Sequence, residues 1–238
     1  MPGVRLTIVA AGEAFDRRAA ALLSAALEGA TTAVVATGRT PMGAYARLGA
    51  DSPPRGLARL RVFQLDEYVG VGLEDRRALA AWTRRSFLDP LGIDPSGVVW
   101  LDGLAEDLEA SCREYEQAVA SAGGLDLAVL GIGLNGHLGF NEPPAHPTSR
   151  TRVVRLSEAS LRSNGAYWPE LDVPTSALTA GMDLLLAARR VVLLASGRAK
   201  HDIVIRAFEG PVTPDVPASF LQEHPDVELV VDDDAWDR

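Results

Sequence analysis

The feature that most constrains the fold is an alternation along the chain. Short apolar runs rich in β-branched residues are separated by longer stretches rich in alanine and leucine. This alternation is typical of α/β proteins, in which a mostly parallel sheet carries helices on both faces. The predicted strands are residues 5–9, 32–36, 61–65, 98–101, 125–130, 190–195 and 227–231, and the predicted helices are residues 13–27, 79–88, 105–120 and 199–208.

Length and composition favour a single domain. The chain has 238 residues, of which 47% are hydrophobic, and this suits one α/β domain with a substantial core. Residues 51–56, which include Pro53 and Pro54, form the one linker-like stretch. Because this stretch is too short to separate domains, we interpret it as a surface loop and assign residues 1–238 to one domain.

Charge and cysteine content narrow the classes of partner and compartment. The formal net charge of −9 argues against a nucleic-acid partner or an anionic membrane surface, although a local basic pocket for an anionic metabolite remains compatible with it. Cys112 is the one cysteine, which excludes an internal disulfide and a cysteine-rich metal site. No apolar run approaches the length of a membrane span. We therefore expect a soluble, cytoplasmic protein.

A glycine-rich loop at residues 131–143 carries the strongest signal for chemistry. It follows the predicted strand 125–130 and contains Asn135, His137 and Glu142. The carboxyl ends of strands are where open α/β sheets bind ligands. A histidine taken alone is more often structural, but the setting of His137 between a carboxamide and a carboxylate favours proton transfer.

Two further loops at predicted strand ends can bind an anion. Thr37, Gly38, Arg39 and Thr40 follow strand 32–36, and Thr40 precedes a proline, which is typical of a helix N-cap followed by the first helical residue. Free N–H groups at a helix start favour an anion, although an ordinary βα turn is an equally good interpretation of this short signal. Lys200, one turn into the helix predicted after strand 190–195, can reach a bound phosphate.

A fourth loop presents two adjacent carboxylates, Asp66 and Glu67, directly after strand 61–65. Successive residues of an extended chain point in opposite directions, so one of the two is expected to face the site. We assign Asp66 as the base and Glu67 to a structural hydrogen bond or ion pair on the other face.

These residues carry a resemblance to a known family. Residues 65–70 (Leu-Asp-Glu-Tyr-Val-Gly) and 136–143 (Gly-His-Leu-Gly-Phe-Asn-Glu-Pro) resemble the signature segments of glucosamine-6-phosphate deaminases. Further matches follow in the family's order at residues 36–38, 40–42, 149–152, 177–181, 221–222 and 224–225. The resemblance implies a Rossmann-like α/β fold of the deaminase and sugar-phosphate isomerase type, with no cofactor and no metal. It also implies conversion of an amino-sugar phosphate to a ketose phosphate plus ammonia.

The resemblance also implies roles for single residues. Asp66 would move a proton from C2 to C1 of the opened sugar, and His137 would catalyse ring opening. Glu142 and Asn135 would orient and tune that histidine; asparagine can do so only by hydrogen bonding. Thr37, Gly38, Thr40 and Lys200 would bind the substrate's phosphate, and Arg39 is a candidate for the same role.

Two departures from the family pattern fall at the phosphate end. Members usually carry a second glycine where this chain has Arg39, and a phosphate-binding arginine where it has Ala166. Either Arg39 supplies the missing guanidinium from a new direction, or the substrate differs at that end. A bidentate arginine is hard to lose without replacement.

Alternative functions follow from the same residues. The chain could act on a different or unphosphorylated amino sugar, hydrolyse a sugar lactone as the related 6-phosphogluconolactonases do, or bind a sugar phosphate without turnover. The segment Asp66-Glu67-Tyr68 and the segment at residues 140–143 have the deaminase form, which favours the isomerising deaminase over a lactonase. The sequence leaves both a monomer and a homo-oligomer open.

Overall fold

The computed structural model describes residues 2–51 and 54–237 of the chain. Ser52 and Pro53, the centre of the predicted surface loop 51–56, lie outside the described residues. In the part that is described, no helix is long and apolar enough to cross a membrane.

Seven parallel strands form the main sheet, as the alternation predicts. In sheet order they are β1 (Val4–Val9), β10 (Val227–Asp232), β9 (Arg190–Ala195), β6 (Leu127–Gly131), β2 (Thr32–Val35), β3 (Arg61–Gln64) and β5 (Val98–Val99). All seven predicted strands are present, and their ends differ from the predicted ones by at most two residues. Strands from both ends of the chain meet in this sheet. That arrangement supports the single domain, which stays a prediction.

The helices cover both faces of the sheet, as expected. They are α1 (Glu13–Leu27), α2 (Met42–Asp51), α3 (Leu79–Thr83), α4 (Asp89–Leu91), α5 (Leu108–Ser121), α6 (Glu158–Gly165), α7 (Met182–Leu186) and α8 (His201–Glu209). Side chains of α1 and α2 pack on one face, and those of α5, α7 and α8 pack on the other. Along β2, Val34 packs in the cluster that includes α5, α7 and α8, while Ala33 and Val35 pack in the cluster that includes α1 and α2. Strands buried on both faces explain why the strand runs are almost continuously apolar.

The start of α2 differs slightly from the prediction. The helix begins at Met42, one residue after Pro41, so Pro41 is not its first helical residue and Thr40 does not cap it. The Met42 N–H instead donates to the Arg39 carbonyl in a preceding turn, at 3.2 Å. The first helical hydrogen bond runs from Tyr45 to the carbonyl of Pro41.

A second, antiparallel sheet was not predicted. It consists of β4 (Asp66–Tyr68), β8 (Ser176–Thr179) and β7 (Arg152–Arg155), in that order. The prediction that Asp66 and Glu67 lie in a loop is therefore wrong: they are the first two residues of a strand. Three residues that include two acids have neither the length nor the composition of a recognisable strand.

Glu67 fixes the position of this short strand. Its carboxylate accepts hydrogen bonds from the N–H groups of Tyr68, Leu79 and Ala80 and from the Gln64 side chain, at 2.9–3.0 Å. The residue is 2% exposed. As predicted, Glu67 makes structural hydrogen bonds, and two of them tie β4 to the first turn of α3.

Replacing Glu67 by alanine is expected to destabilise the protein strongly, because it leaves four buried donors without an acceptor. Unsatisfied buried donors cost roughly 1–3 kcal/mol each, and a loss of more than about 3 kcal/mol in the free energy of unfolding is expected in urea titrations. Glu158→Ala is the control, since the Glu158 side chain is 90% exposed. A Glu67→Ala protein as stable as this control would contradict the structural role.

Candidate active site

The four polar segments that the sequence analysis placed at strand ends follow four neighbouring strands. Strands β9, β6, β2 and β3 are consecutive in the sheet and parallel, so their carboxyl ends lie side by side. The loops that follow them line one cleft, which encloses about 890 Å³ of empty space, part of it open to solvent. The cleft walls include all the predicted site residues except Glu142: Thr37, Gly38, Arg39, Thr40, Asp66, Asn135, His137 and Lys200. Glu142 lies immediately behind His137.

Backbone turns in the glycine-rich loop set the position of His137. The Gly133 N–H donates to the His137 carbonyl and the Gly136 N–H donates to the Gly133 carbonyl, each at 3.0 Å. Gly136 and Gly139 have backbone φ angles of 89° and 59°, values that residues other than glycine rarely adopt. A Cβ at position 133 would overlap the imidazole ring of His137, so the ring lies directly against the Gly133 backbone.

Glu142 and Asn135 hold His137 from behind. Glu142 Oε2 lies 3.3 Å from His137 Nδ1 and accepts a hydrogen bond from Asn135 Nδ2 at 2.6 Å. Asn135 Oδ1 also accepts the His137 backbone N–H at 3.3 Å. With Nδ1 directed at a carboxylate, the neutral ring carries its proton there and leaves Nε2 to exchange protons with a ligand.

The environment of Glu142 keeps its carboxylate charged. Burial by itself would raise the pKa of Glu142, but the contact with His137 and the hydrogen bonds from Ser160 and Asn135 outweigh burial and lower the pKa to about 2. This charged carboxylate lies beside Nδ1 of His137. A histidine supported in this way can serve first as a base and then as an acid.

Asp66 is in the opposite situation. It is 6% exposed, and among the described residues none donates a hydrogen bond to its carboxylate. Burial, together with the nearby charge of Glu67, raises the pKa of Asp66 to about 8. A carboxyl whose pKa lies near neutrality suits general-base catalysis, because its conjugate base is strong enough to take a proton from carbon next to a carbonyl.

Arg39 and Lys200 supply positive charge to the cleft. The Arg39 guanidinium stacks on the Tyr167 ring, 5.1 Å from its centroid, and lies 3.4 Å from the carbonyl oxygen of Ala166. Lys200 Nζ donates to the Ile132 carbonyl at 2.5 Å, and burial lowers the pKa of Lys200 to about 8. The sequence placed Lys200 inside a helix; it ends a 3₁₀ turn (Arg198–Lys200) just before α8.

Several residues around the cleft were missed by the sequence reasoning. The face of α6 contributes Ser160, whose Oγ lies 3.4 Å from His137 Nδ1, and the segment after this helix contributes Tyr167. Trp82 of α3 packs edge-on against Tyr167, with ring centroids 4.9 Å apart. No local pattern marks these residues, since they reach the cleft only through tertiary packing. Asn141, in the same glycine-rich loop as His137, is buried and its Nδ2 donates to the Leu138 carbonyl.

The arrangement suits proton transfer to and from a small anionic molecule. Two carboxyl groups have pKa values displaced in opposite directions, one of them paired with a histidine, and cationic side chains lie on other walls of the same cleft. Such a division is typical of acid and base assignments in one active site. Within the described parts of the chain, no group of three or more His, Cys, Asp or Glu side chains is arranged to hold a metal ion.

Comparison with known proteins agrees with this chemistry. Residues 7–231 match the family model described as glucosamine-6-phosphate isomerases/6-phosphogluconolactonase. A glucosamine-6-phosphate deaminase of Cutibacterium acnes is 45% identical over 204 residues, which cover 84% of this chain and 78% of the relative. A glucosamine-6-phosphate deaminase of Clostridium botulinum is 34% identical over 237 residues, with 98% and 97% covered.

Solved structures extend the likeness to the fold. A monomeric glucosamine-6-phosphate deaminase superposes with a TM-score of 0.90 at 36% identity and covers 98% of each chain. The 6-phosphogluconolactonase of Thermotoga maritima superposes with a TM-score of 0.78 at 19% identity, covering 96% of this chain and 99% of its own. The second match concerns the fold alone.

The buried Asp66 carboxyl makes stability depend on pH. Its pKa is raised from 3.8 to about 8 on folding, so the folded protein holds this proton more tightly than the unfolded chain does. The resulting stabilisation is full below about pH 4 and is lost as the pH rises through about 8. Asp66→Asn should remove this loss. Between pH 4 and pH 9, its free energy of unfolding should rise by up to about 5 kcal/mol relative to that of the unmodified protein.

Urea titrations at pH 4 to 9 measure this difference. Asp234→Asn is the matched control, because Asp234 is exposed, and its profile should parallel that of the unmodified protein. Parallel profiles for Asp66→Asn and the unmodified protein would show that Asp66 titrates like a solvent-exposed carboxyl.

Proposed function

Because this chain belongs to the glucosamine-6-phosphate isomerase and 6-phosphogluconolactonase family, we propose that it is an isomerising deaminase that converts glucosamine 6-phosphate and water to fructose 6-phosphate and ammonia. The observation that carries the proposal is the meeting of an unpaired, buried Asp66 carboxyl and a supported His137 in one cleft. Isomerisation of a closed amino sugar needs both groups, one for the ring and one for the carbon-bound proton.

His137 opens the sugar ring in this proposal. It takes the proton of the anomeric hydroxyl and returns a proton to the ring oxygen as the C1–O5 bond breaks. Glu142 and Asn135 keep the imidazole oriented and stabilise its protonated form. The 2.6 Å hydrogen bond from Asn135 to Glu142 supports a purely orienting role for the carboxamide.

Asp66 then carries out the isomerisation. Its carboxylate removes the proton from C2 of the open aldose, which gives an enolamine, and returns that proton to C1. The product is an imine at C2; water adds to this carbon, the C–N bond breaks, and ammonia leaves with the ketose. The cationic amine of the substrate, once bound beside Asp66, would lower the pKa of this carboxyl from its high value in the empty cleft.

The loop after β2 and Lys200 hold the phosphate. Thr37, Gly38, Arg39 and Thr40 precede α2, where N–H groups favour an anion, and Lys200 adds a partly buried ammonium. The guanidinium of Arg39 lies against the backbone of Ala166. Ala166 is the position at which members of the family that this sequence resembles carry a phosphate-binding arginine. We therefore assign the missing guanidinium to Arg39, and regard glucosamine 6-phosphate as the substrate in preference to an unphosphorylated amino sugar.

The proposed reaction has small-molecule substrates and products and calls for no cofactor. We place it in the cytoplasm, in keeping with a chain that contains one cysteine.

Purified protein incubated with glucosamine 6-phosphate should release ammonia and fructose 6-phosphate in equal amounts, measured by coupled assays. The same preparation should leave 6-phosphogluconolactone to its spontaneous hydrolysis, because the proposal assigns Asp66 to proton transfer between C2 and C1 and His137 to ring opening, and assigns neither to attack on a lactone. Accelerated lactone hydrolysis without ammonia would replace the proposal by the lactonase function. Tight binding of glucosamine 6-phosphate without any product would replace the proposed enzyme function by that of a non-catalytic sugar-phosphate sensor.

The assignment of Arg39 has its own test. Arg39→Ala should raise KM for glucosamine 6-phosphate by roughly 10- to 100-fold, the range expected when a charge-assisted contact to phosphate is lost, with kcat changed little. The slow reaction of unphosphorylated glucosamine should change by less than about twofold. Arg162→Ala, at an exposed position on α6, is the control. Equal losses on both substrates would contradict a phosphate contact.

A further inference from the structure

The N-terminus of α6 lies against the His137–Glu142 pair. The Ser157 N–H points at Glu142 Oε1, with 3.4 Å between the two atoms, and Ser157 Oγ caps the helix by accepting the Ser160 N–H at 3.2 Å. The same helix and the segment after it form one wall of the cleft, through Asn164 and Tyr167 among others. The pair that supports ring opening therefore shares hydrogen bonds with a wall of the cleft.

Ser160 makes the most direct of these contacts. Its side chain belongs to a residue that is 3% exposed, and Oγ lies 3.4 Å from His137 Nδ1. The same hydroxyl acts on the Glu142 carboxylate and helps to lower the pKa of Glu142. One ring nitrogen of His137, Nδ1, thus faces both a carboxylate and a hydroxyl, and the ring as a whole lies against the Gly133 backbone.

We propose that Ser160 is a positioning residue, whose hydroxyl bridges His137 Nδ1 and Glu142 and makes the orientation of the imidazole depend on the docking of α6. The hydroxyl donates to the Glu142 carboxylate, which has no proton of its own to give, and its oxygen lies within reach of Nδ1. It contacts the ring nitrogen that also faces Glu142, and it does so from α6, outside the loop that carries His137. This proposal deepens the proposed function, on which the catalytic role of His137 rests.

Burial and charge support a specific role for the hydroxyl. A buried hydroxyl is unfavourable unless it is hydrogen-bonded, and an alanine at this position would fill the site equally well if packing were its sole task. Glu142 contacts Asn135 and His137, and the leading influences that lower its pKa are the contact with His137 and the side chains of Ser160 and Asn135. Loss of the hydroxyl removes one donor from the carboxylate and one neighbour from Nδ1 at the same time.

The test compares Ser160→Ala with Ser160→Thr, which keeps a hydroxyl, and with Ser24→Ala, the same change in helix α1 far from the cleft. Ser160→Ala should lower kcat with glucosamine 6-phosphate about tenfold, leave KM within about twofold, and move the acid limb of the kcat profile to higher pH. Ser160→Thr should recover most of the lost rate. All three proteins should melt within a few degrees of the unmodified protein.

A second measurement does not require turnover. The Cε1–H resonance of His137 in the ligand-free protein, assigned with His137→Asn, should move at a fixed pH in Ser160→Ala and not in Ser24→Ala. If this movement is present but the unmodified protein releases no ammonia from any amino sugar, the proposed function fails while the positioning role stands. An unchanged resonance together with an unchanged kcat, or a loss of kcat that follows a loss of melting temperature, overturns the proposal.

Discussion

The parallel pairing of four neighbouring strands is the constraint on which the rest of this structure depends. Parallel strands end at the same edge of a sheet, so the loops after β9, β6, β2 and β3 are brought together although they lie far apart in the chain. Each of the four segments contributes one kind of group: the Lys200 ammonium, His137 with its support, the turn before α2, and the Asp66 carboxylate at the start of β4. The sheet itself is buried on both faces by two separate apolar clusters, so its edge is held rigidly and the groups at this edge keep their spacing.

Three carboxylates close to this edge show how the same chemical group takes different tasks. Glu67 accepts four hydrogen bonds and fixes β4; Glu142 is paired with His137, which helps to hold its pKa near 2; and none of the described residues donates to the Asp66 carboxylate, whose pKa burial raises to about 8. The hydrogen bonds of Glu67 hold the strand that keeps Asp66 in the cleft, so stabilisation at one residue offsets the unfavourable burial of the next.

The sequence was a good guide to the main sheet and a partial guide to the site. Long apolar runs buried on both faces leave a clear pattern, and each of the seven predicted strands is present. The strand β4 has no such sequence pattern, because its three residues pair with β8, more than a hundred residues away. Likewise, Asp66, His137 and Lys200 could be picked from polar positions after strands, whereas Ser160, Trp82 and Tyr167 reach the cleft through packing of α6 and α3. The contact of Arg39 with the backbone at Ala166 relates two departures from the family pattern that are 127 positions apart.

The central claim is that Asp66 moves the proton of a bound amino sugar between two carbon atoms. The most direct measurement is the reaction of glucosamine 6-phosphate in deuterium oxide, followed by NMR of the recovered sugar phosphates. The unmodified protein should introduce deuterium at C1 of fructose 6-phosphate and exchange the C2 proton of the substrate. Asp66→Asn, although folded, should do neither. Retained exchange in Asp66→Asn at the rate of the unmodified protein would contradict the account.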